Sequence, residues 1–202
     1  GFPIAKIAAK IALGYNLHEL KNPLTGSYIP SSFEPVIDYV VTKFPRFNFE
    51  KFPLANKELT THMKSIGEVL AIGRTFKESL NKALVSLEYS SEIISVDKSE
   101  IEQLLVTRNP LRFWAILQAL SLGNSVAMIS QITGYDSWFL SHLEEIIQET
   151  MVISGNQGQS LTVDLMIKYK QLGFSDEALS RLMLISSDEI KNFRSKNQIE
   201  PT

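Results

Sequence analysis

Ile4, Ile7, Ala8 and Ile11 recur at helical spacing behind Pro3, which is well placed as a first helical residue, and Gly14 is positioned to close the helix. Between Asn16 and Ser32 the pattern breaks into turn-forming pairs, Asn22-Pro23, Thr25-Gly26 and Pro30-Ser31, so the segment reads as an exposed loop anchored by Leu17 and Leu20. Val36 to Phe44 is dense in β-branched and aromatic residues and predicts a strand ended by Pro45; a second strand is expected from Ser65 to Ile72, bracketed by Gly67 and Gly73. Thr75 and Glu78 then form a capping-box pattern. In it the threonine oxygen accepts a backbone N–H and the glutamate reaches back to the threonine amide, starting a helix that runs to about Leu87.

Past Glu88–Lys98 every periodic stretch is helical, which places a domain boundary between Leu87 and Ser99. Asn109-Pro110 is expected to cap and open a helix carrying Phe113, Trp114, Leu117 and Leu120. Ser125 to Thr133 predicts a short helix ending at Gly134. Asp136 caps the next, whose Phe139, Leu140, Leu143, Ile146 and Ile147 make an apolar stripe. After a loop at Asn156-Gln157-Gly158, Val163 to Leu172 reads as a helix closed by Gly173. Two tightly punctuated helices follow, one capped by Ser175 with Phe174 and Leu179 as its hydrophobic staple, the other boxed by Ser186 and Glu189 with Ile185 and Ile190 as its staple. The fold class that follows is α+β over residues 1–90 and all-α over 91–202, mostly helical in total.

Composition narrows the function classes. With 44% hydrophobic and 21% charged residues the chain has the apolar content for a real core, and a formal charge of −2 gives no general pull toward nucleic acid or an anionic membrane. The absence of cysteine removes disulfides, thiol nucleophiles and cysteine-bound zinc, and agrees with a reducing, cytoplasmic setting. No apolar run approaches the roughly 20 residues of a membrane span. The chain opens at Gly1 directly on a helical pattern, as expected of a piece excised from something longer.

Candidate chemistry is sparse. His18, His62 and His142 lie far apart and His18-Glu19 lacks the second histidine of a zinc-protease helix, so no metal site is expected. Gly155 and Gly158 lack the Lys-Ser/Thr ending of a phosphate loop, and no serine sits in a nucleophile elbow. The pairs Glu144-Glu145 and Asp176-Glu177 read as solvated or dipole-stabilising carboxylates of helix faces and first turns. Glu68 stands apart because it interrupts an apolar strand, where a carboxylate must face water, a partner or a polar passage. Residues 174–196 also fit a helix-turn-helix that offers Lys191, Asn192, Arg194 and Lys196 to DNA. Acidic Asp176 and Glu177 on its first helix weigh against this alternative.

Three strings carry more: Gly1-Phe2-Pro3-Ile4-Ala5-Lys6-Ile7-Ala8-Ala9-Lys10, the run Ser32-Phe33-Glu34-Pro35 followed by Ile37-Asp38-Tyr39-Val40-Val41-Thr42-Lys43-Phe44-Pro45-Arg46-Phe47, and Met63-Lys64-Ser65-Ile66-Gly67-Glu68-Val69-Leu70-Ala71-Ile72-Gly73-Arg74-Thr75. In this order they resemble the carbamoyl-phosphate synthetase large chain. Ile132-Thr133-Gly134-Tyr135-Asp136-Ser137-Trp138-Phe139-Leu140 and Leu172-Gly173-Phe174-Ser175-Asp176 extend the likeness into that family's helical oligomerisation domain. The chain departs from the family pattern in the loop Lys21 to Pro30, which lacks paired glycines, and in a short Glu88 to Lys98 segment.

The resemblance implies a ligase that makes carbamoyl phosphate from bicarbonate, glutamine-derived ammonia and two ATP, serving pyrimidine and arginine biosynthesis. It implies that residues 1–90 end a carboxyphosphate ATP-grasp domain and 91–202 form the oligomerisation domain. The ligands of ATP and of Mg or Mn would lie upstream of Gly1, leaving this piece with no catalytic, cofactor or metal residue and no activity alone. Glu68 matches a glutamate expected beside the internal carbamate passage, and Trp138, Phe139 and Leu143 are the candidates for an association surface. The partners implied are further copies of the large chain and a glutamine amidotransferase chain or domain, with no nucleic acid and no membrane.

Overall fold

The computed structural model describes residues 2–26, 28–34, 36–49, 51–52, 54–87, 96–157 and 161–200. It divides into two units, Gly1–Asp38 and Tyr39–Thr202. Among the described residues there are nine α-helices and one two-stranded antiparallel sheet, a mostly helical α+β protein.

In the first unit α1 spans Ile4–Ala12, with Pro3 as its N-cap rather than its first residue. Only Ile7 of the expected apolar stripe is buried, whereas Ile4 and Ile11 are exposed. Gly14, at φ +101°, lets the chain turn back so that its amide reaches Ile11 O and that of Tyr15 reaches Lys10 O. The following loop is pinned by a bridge between Lys21 and Pro30 and by Ser31 N donating to Leu20 O at 2.7 Å. Leu20 is buried under it; Leu17, the other expected anchor, is exposed.

In the second unit β1 (Val40–Arg46) pairs with β2 (Gly67–Gly73), in register from Val40 opposite Gly73 to Arg46 opposite Gly67. This corrects two expectations. The first strand starts four residues later than Val36, and Pro45 lies inside it, opposite Glu68. A strand of a two-stranded sheet has one free edge, where a residue without an N–H breaks no ladder bond. Thr42, Phe44 and Ala71 face the helix that follows, while Val41, Leu70 and Ile72 lie on the open face.

That helix, α2 (Phe76–Ser86), starts at Thr75, whose Oγ1 accepts from Glu78 N at 3.2 Å. Glu78 reaches back one residue further than a capping box requires, accepting from Arg74 N at 2.8 Å. Close approach fixes α2 on the sheet: a Cβ at Gly73 would stand 2.7 Å from Ser79 N, and Ser79, fully buried, shares a 2.7 Å hydrogen bond with Thr42. The boundary expected between Leu87 and Ser99 spans residues 88–95, which lie outside the described residues.

Seven helices complete the unit: α3 (Ile101–Val106), α4 (Arg112–Ser121), α5 (Val126–Thr133), α6 (Ser137–Gly155), α7 (Val163–Gln171), α8 (Asp176–Met183) and α9 (Ser187–Lys196). Side-chain caps from Ser125, Asp136, Thr162, Ser175 and Ser186 open five of them, and Ser186 with Glu189 forms the full capping box. Asn109 does not cap α4 directly. It accepts from Leu111 N at 2.8 Å in a turn, and the helix begins after Leu111. Ile116, Ile129, Leu140, Ile153, Met166, Leu179 and Ile190 are fully buried together, each such side chain contributing about 1.5–3 kcal/mol. Phe44 joins this core from the sheet, its ring 5.0 Å from that of Phe113.

Candidate functional site

Three features of the second unit carry groups aimed outward or into open space. The first is the free face of the sheet. Glu68 lies on it with Leu70 and Ile72, and its carboxylate meets Lys43 Nζ at 2.8 Å across the strands. Both side chains are about half exposed, so the pair adds at most about 1 kcal/mol, and Glu68 sits as a neutralised polar group at the margin of an open apolar surface.

The second is an aromatic face on α6. Asp136 caps the helix through Trp138 N at 2.8 Å, and from there Trp138, His142, Glu145 and Glu149 follow one another at i, i+4, i+7 and i+11, on a stripe away from the buried Leu140, Leu143 and Ile147. Trp138 and Phe139 are 53% and 44% exposed. Both rings pack on Phe76 at the start of α2, with centroids 5.5 and 5.4 Å away, and the His142 ring stands edge-on to Trp138 at 4.3 Å. Lys77 Nζ bonds Glu145 Oε2 and ties the two helices; this bond holds the Glu145 carboxyl below the usual range. Leu143, the third expected surface residue, is 3% exposed and belongs to the core instead.

The third is a cavity of about 440 Å³ between α2, α4, α6 and α8, walled by Leu80, Leu84, Trp114, Leu117, Leu143 and Phe174. Gly173 shapes one end. Its φ of +86° turns α7 into α8, its missing Cβ leaves room for Glu78 O, and Asn81 Nδ2 donates to Leu172 O at 2.7 Å.

Of the two carboxylates in the first turn of α8, Asp176 departs from the solvated setting expected of it. Glu177 is exposed, whereas Asp176 is buried and held between Lys170 Nζ at 2.5 Å and Arg194 Nη1 at 2.6 Å, joining α7, α8 and α9. Arg194 also donates to Ile199 O, so this member of the basic set offered to DNA is engaged inside the protein. Among the described residues no group of three or more histidine, aspartate or glutamate side chains is arranged for a metal ion, and no helix is long and apolar enough to cross a membrane.

Phe76, Lys77 and His142 escaped the sequence-level site. Phe76 and Lys77 follow directly on the Thr75 cap, and the i, i+4 spacing of Trp138 and His142 was the available signal for the stripe.

The second unit is thus a set of helices closing on a short two-stranded sheet, with aromatic side chains on its exposed surface. Residues 68–198 match the family described as carbamoyl-phosphate synthetase large chain, oligomerisation domain. The chain belongs to the carbamoyl-phosphate synthetase large-chain family. It is 46% identical over its full length to the carbamoyl phosphate synthase large chain, N-terminal section, of Aquifex aeolicus. It is also 46% identical to the carbamoyl phosphate synthase large chain of Vibrio vulnificus and 45% to that of Pseudomonas putida, again over its full length. It spans 37% of the Aquifex protein and 19% and 20% of the other two.

Proposed function

We propose that this chain supplies scaffold, passage wall and association surface to a carbamoyl-phosphate-forming ligase, and does not itself bind ATP, Mg or Mn or turn over substrate. In this reading residues 1–90 close the carboxyphosphate ATP-grasp domain, residues 91–202 form the association domain, and α2 links them through the shared core. Glu68 lines the path of carbamate, set where one carboxylate borders the apolar side chains of Leu70 and Ile72. Trp138 and Phe139 meet another copy of the large chain, while the glutamine amidotransferase chain or domain engages the parent enzyme elsewhere. The parent enzyme works in the cytoplasm for pyrimidine and arginine synthesis.

The observation that favours an association role is the exposed Trp138–Phe139 pair, since aromatic side chains held over a rigid ring are the usual anchors of protein contacts. Light scattering across a concentration series tests it. The chain is expected to self-associate, and the Trp138→Ala, Phe139→Ala double variant to do so at least tenfold more weakly; equal association would refute the surface. Titration calorimetry with ATP and magnesium is expected to give only heat of dilution. Saturable binding heat would overturn the non-catalytic reading.

A further inference from the structure

His142 is a side chain whose surroundings neither the fold nor the proposed role explains. Its Nδ1 is buried and has no hydrogen-bond partner among the described residues. Such an atom costs about 1–3 kcal/mol unless something compensates it. Glu145 Oε2 lies 3.9 Å away on the same helix, too far for a hydrogen bond and already bonded by Lys77. The ring also packs against two aromatic rings, Trp138 at 4.3 Å and Phe76 at 5.9 Å between centroids. The charged groups facing it are Lys77 from α2 and Glu145 from α6, while α4, α5 and α8 meet α6 through the apolar core.

We propose that His142 is a proton-operated switch of this face. In the neutral ring with its proton on Nε2, Nδ1 is an acceptor that nothing donates to. A proton taken from solvent turns Nδ1 into a donor, and a small rotation of the ring brings it onto Glu145 Oε2. The carboxylate then divides between two cations, His142 and Lys77, and its hold on Lys77 weakens. Lys77 stands in the first turn of α2, so the link between α6 and the start of α2 loosens as the ring gains its proton. The same proton places a positive charge beside Trp138, at the edge of the exposed aromatic pair. A partner that buries that pair must then desolvate an additional charge, so contact through this face weakens on acidification. Only this last consequence rests on the association reading; the switch itself does not.

Two measurements on the intact chain test it. Tryptophan emission is followed from about pH 8 to about pH 5.5, the span in which imidazole commonly changes charge. Emission is expected to fall, because an imidazolium against an indole quenches it, and the fall should vanish in His142→Gln and in Trp138→Phe, with circular dichroism verifying that both variants are folded. Hydrogen exchange at the first turns of α2, corrected for the intrinsic effect of pH, should quicken on acidification in the native chain and not in His142→Gln or Glu145→Gln. Emission that ignores the His142 substitution overturns the switch. So does quenching without any change at α2, since the proton would then act on Trp138 alone. If both signals appear while light scattering shows association independent of pH, the switch stands and the Trp138 contact surface fails.

Discussion

Replacing Asp176 with alanine should be among the most damaging single changes outside the apolar core. Its side chain is 9% exposed and pairs with Lys170 at 2.5 Å and Arg194 at 2.6 Å, so truncation leaves two cations facing each other across the junction of α7, α8 and α9. Breaking a fully buried pair in this way costs about 3–5 kcal/mol. The Lys170 and Arg194 side chains keep 24% and 21% of their exposure, and water takes up part of the loss. The expected cost is therefore about 2–3 kcal/mol, which for a domain of this size lowers Tm by about 5–10 °C. Asp176→Asn, which keeps the shape and removes the charge, should show most of the effect.

The pH dependence supplies a second check. Burial pushes the Asp176 carboxyl up, but Lys170 and Arg194 outweigh burial and hold it below the ordinary aspartate value. A group depressed in the folded state stabilises fully above its unfolded value, about 3.9, and loses that contribution as pH falls through the folded-state value below it. Urea unfolding followed by circular dichroism should thus separate native and variant chains widely near neutral pH, and the gap should begin to close only below about pH 4 and go on closing as the acid strengthens. Equal midpoints near neutrality would refute the triad, and a gap that persists in strong acid would show that packing, not charge, is responsible.

Gly173→Ala should cost about 2–3 kcal/mol, because the added Cβ would meet Glu78 O at 2.7 Å in a left-handed turn, whereas Gly14→Ala, also left-handed but with open space around it, should cost about 1 kcal/mol by the same urea assay. Arg112 donates to Leu105 O at 2.8 Å and Thr133 O at 3.0 Å, closing the ends of both α3 and α5; Arg112→Ala should lose about 2–3 kcal/mol in thermal unfolding, and Arg112→Lys, lacking the fork, should recover less than half. Glu68→Gln should leave stability within about 0.5 kcal/mol of the native value, since its partner Lys43 is well exposed; a larger loss would mean that the ion pair shapes the strand.

The features legible in the sequence are those decided within a few residues. Asp136, Ser175 and Ser186 cap the helices they were expected to cap, because a hydroxyl or carboxylate two or three residues before a free amide needs nothing else from the fold. Pro45 read as a strand terminator for an equally local reason, and that reading failed because what proline costs depends on whether its side of the strand is an edge. Asn109 failed similarly: the Asn-Pro pair promises a helix start, but its side chain closes a turn and leaves α4 to begin later.

The site was legible only as a pattern of residue types. Glu68 stood out because one carboxylate broke an apolar strand, yet Lys43, which neutralises it, became its neighbour only through the register of β1 on β2. Leu143 and Trp138 belong to the same helix and to one stretch of apolar sequence, but they point some 140° apart, from the 100° turn per residue, so one enters the core while the other stays outside. His142 shows the limit most sharply. Four residues after Trp138 it must share that helix face whatever the rest of the chain does. Whether the ring then meets water or a closed aromatic surface depends on Phe76, which docks from 66 positions earlier in the chain. A contact of that separation follows from the way α2 is pinned by Gly73 on the sheet and by Gly173 on the helices. Substituting either glycine should therefore disturb the surroundings of His142 without touching it. The Trp138 emission titration of Gly173→Ala should accordingly weaken together with its stability, and a variant that unfolds more easily yet titrates like the native chain would show that α2 is held in place by the aromatic cluster itself.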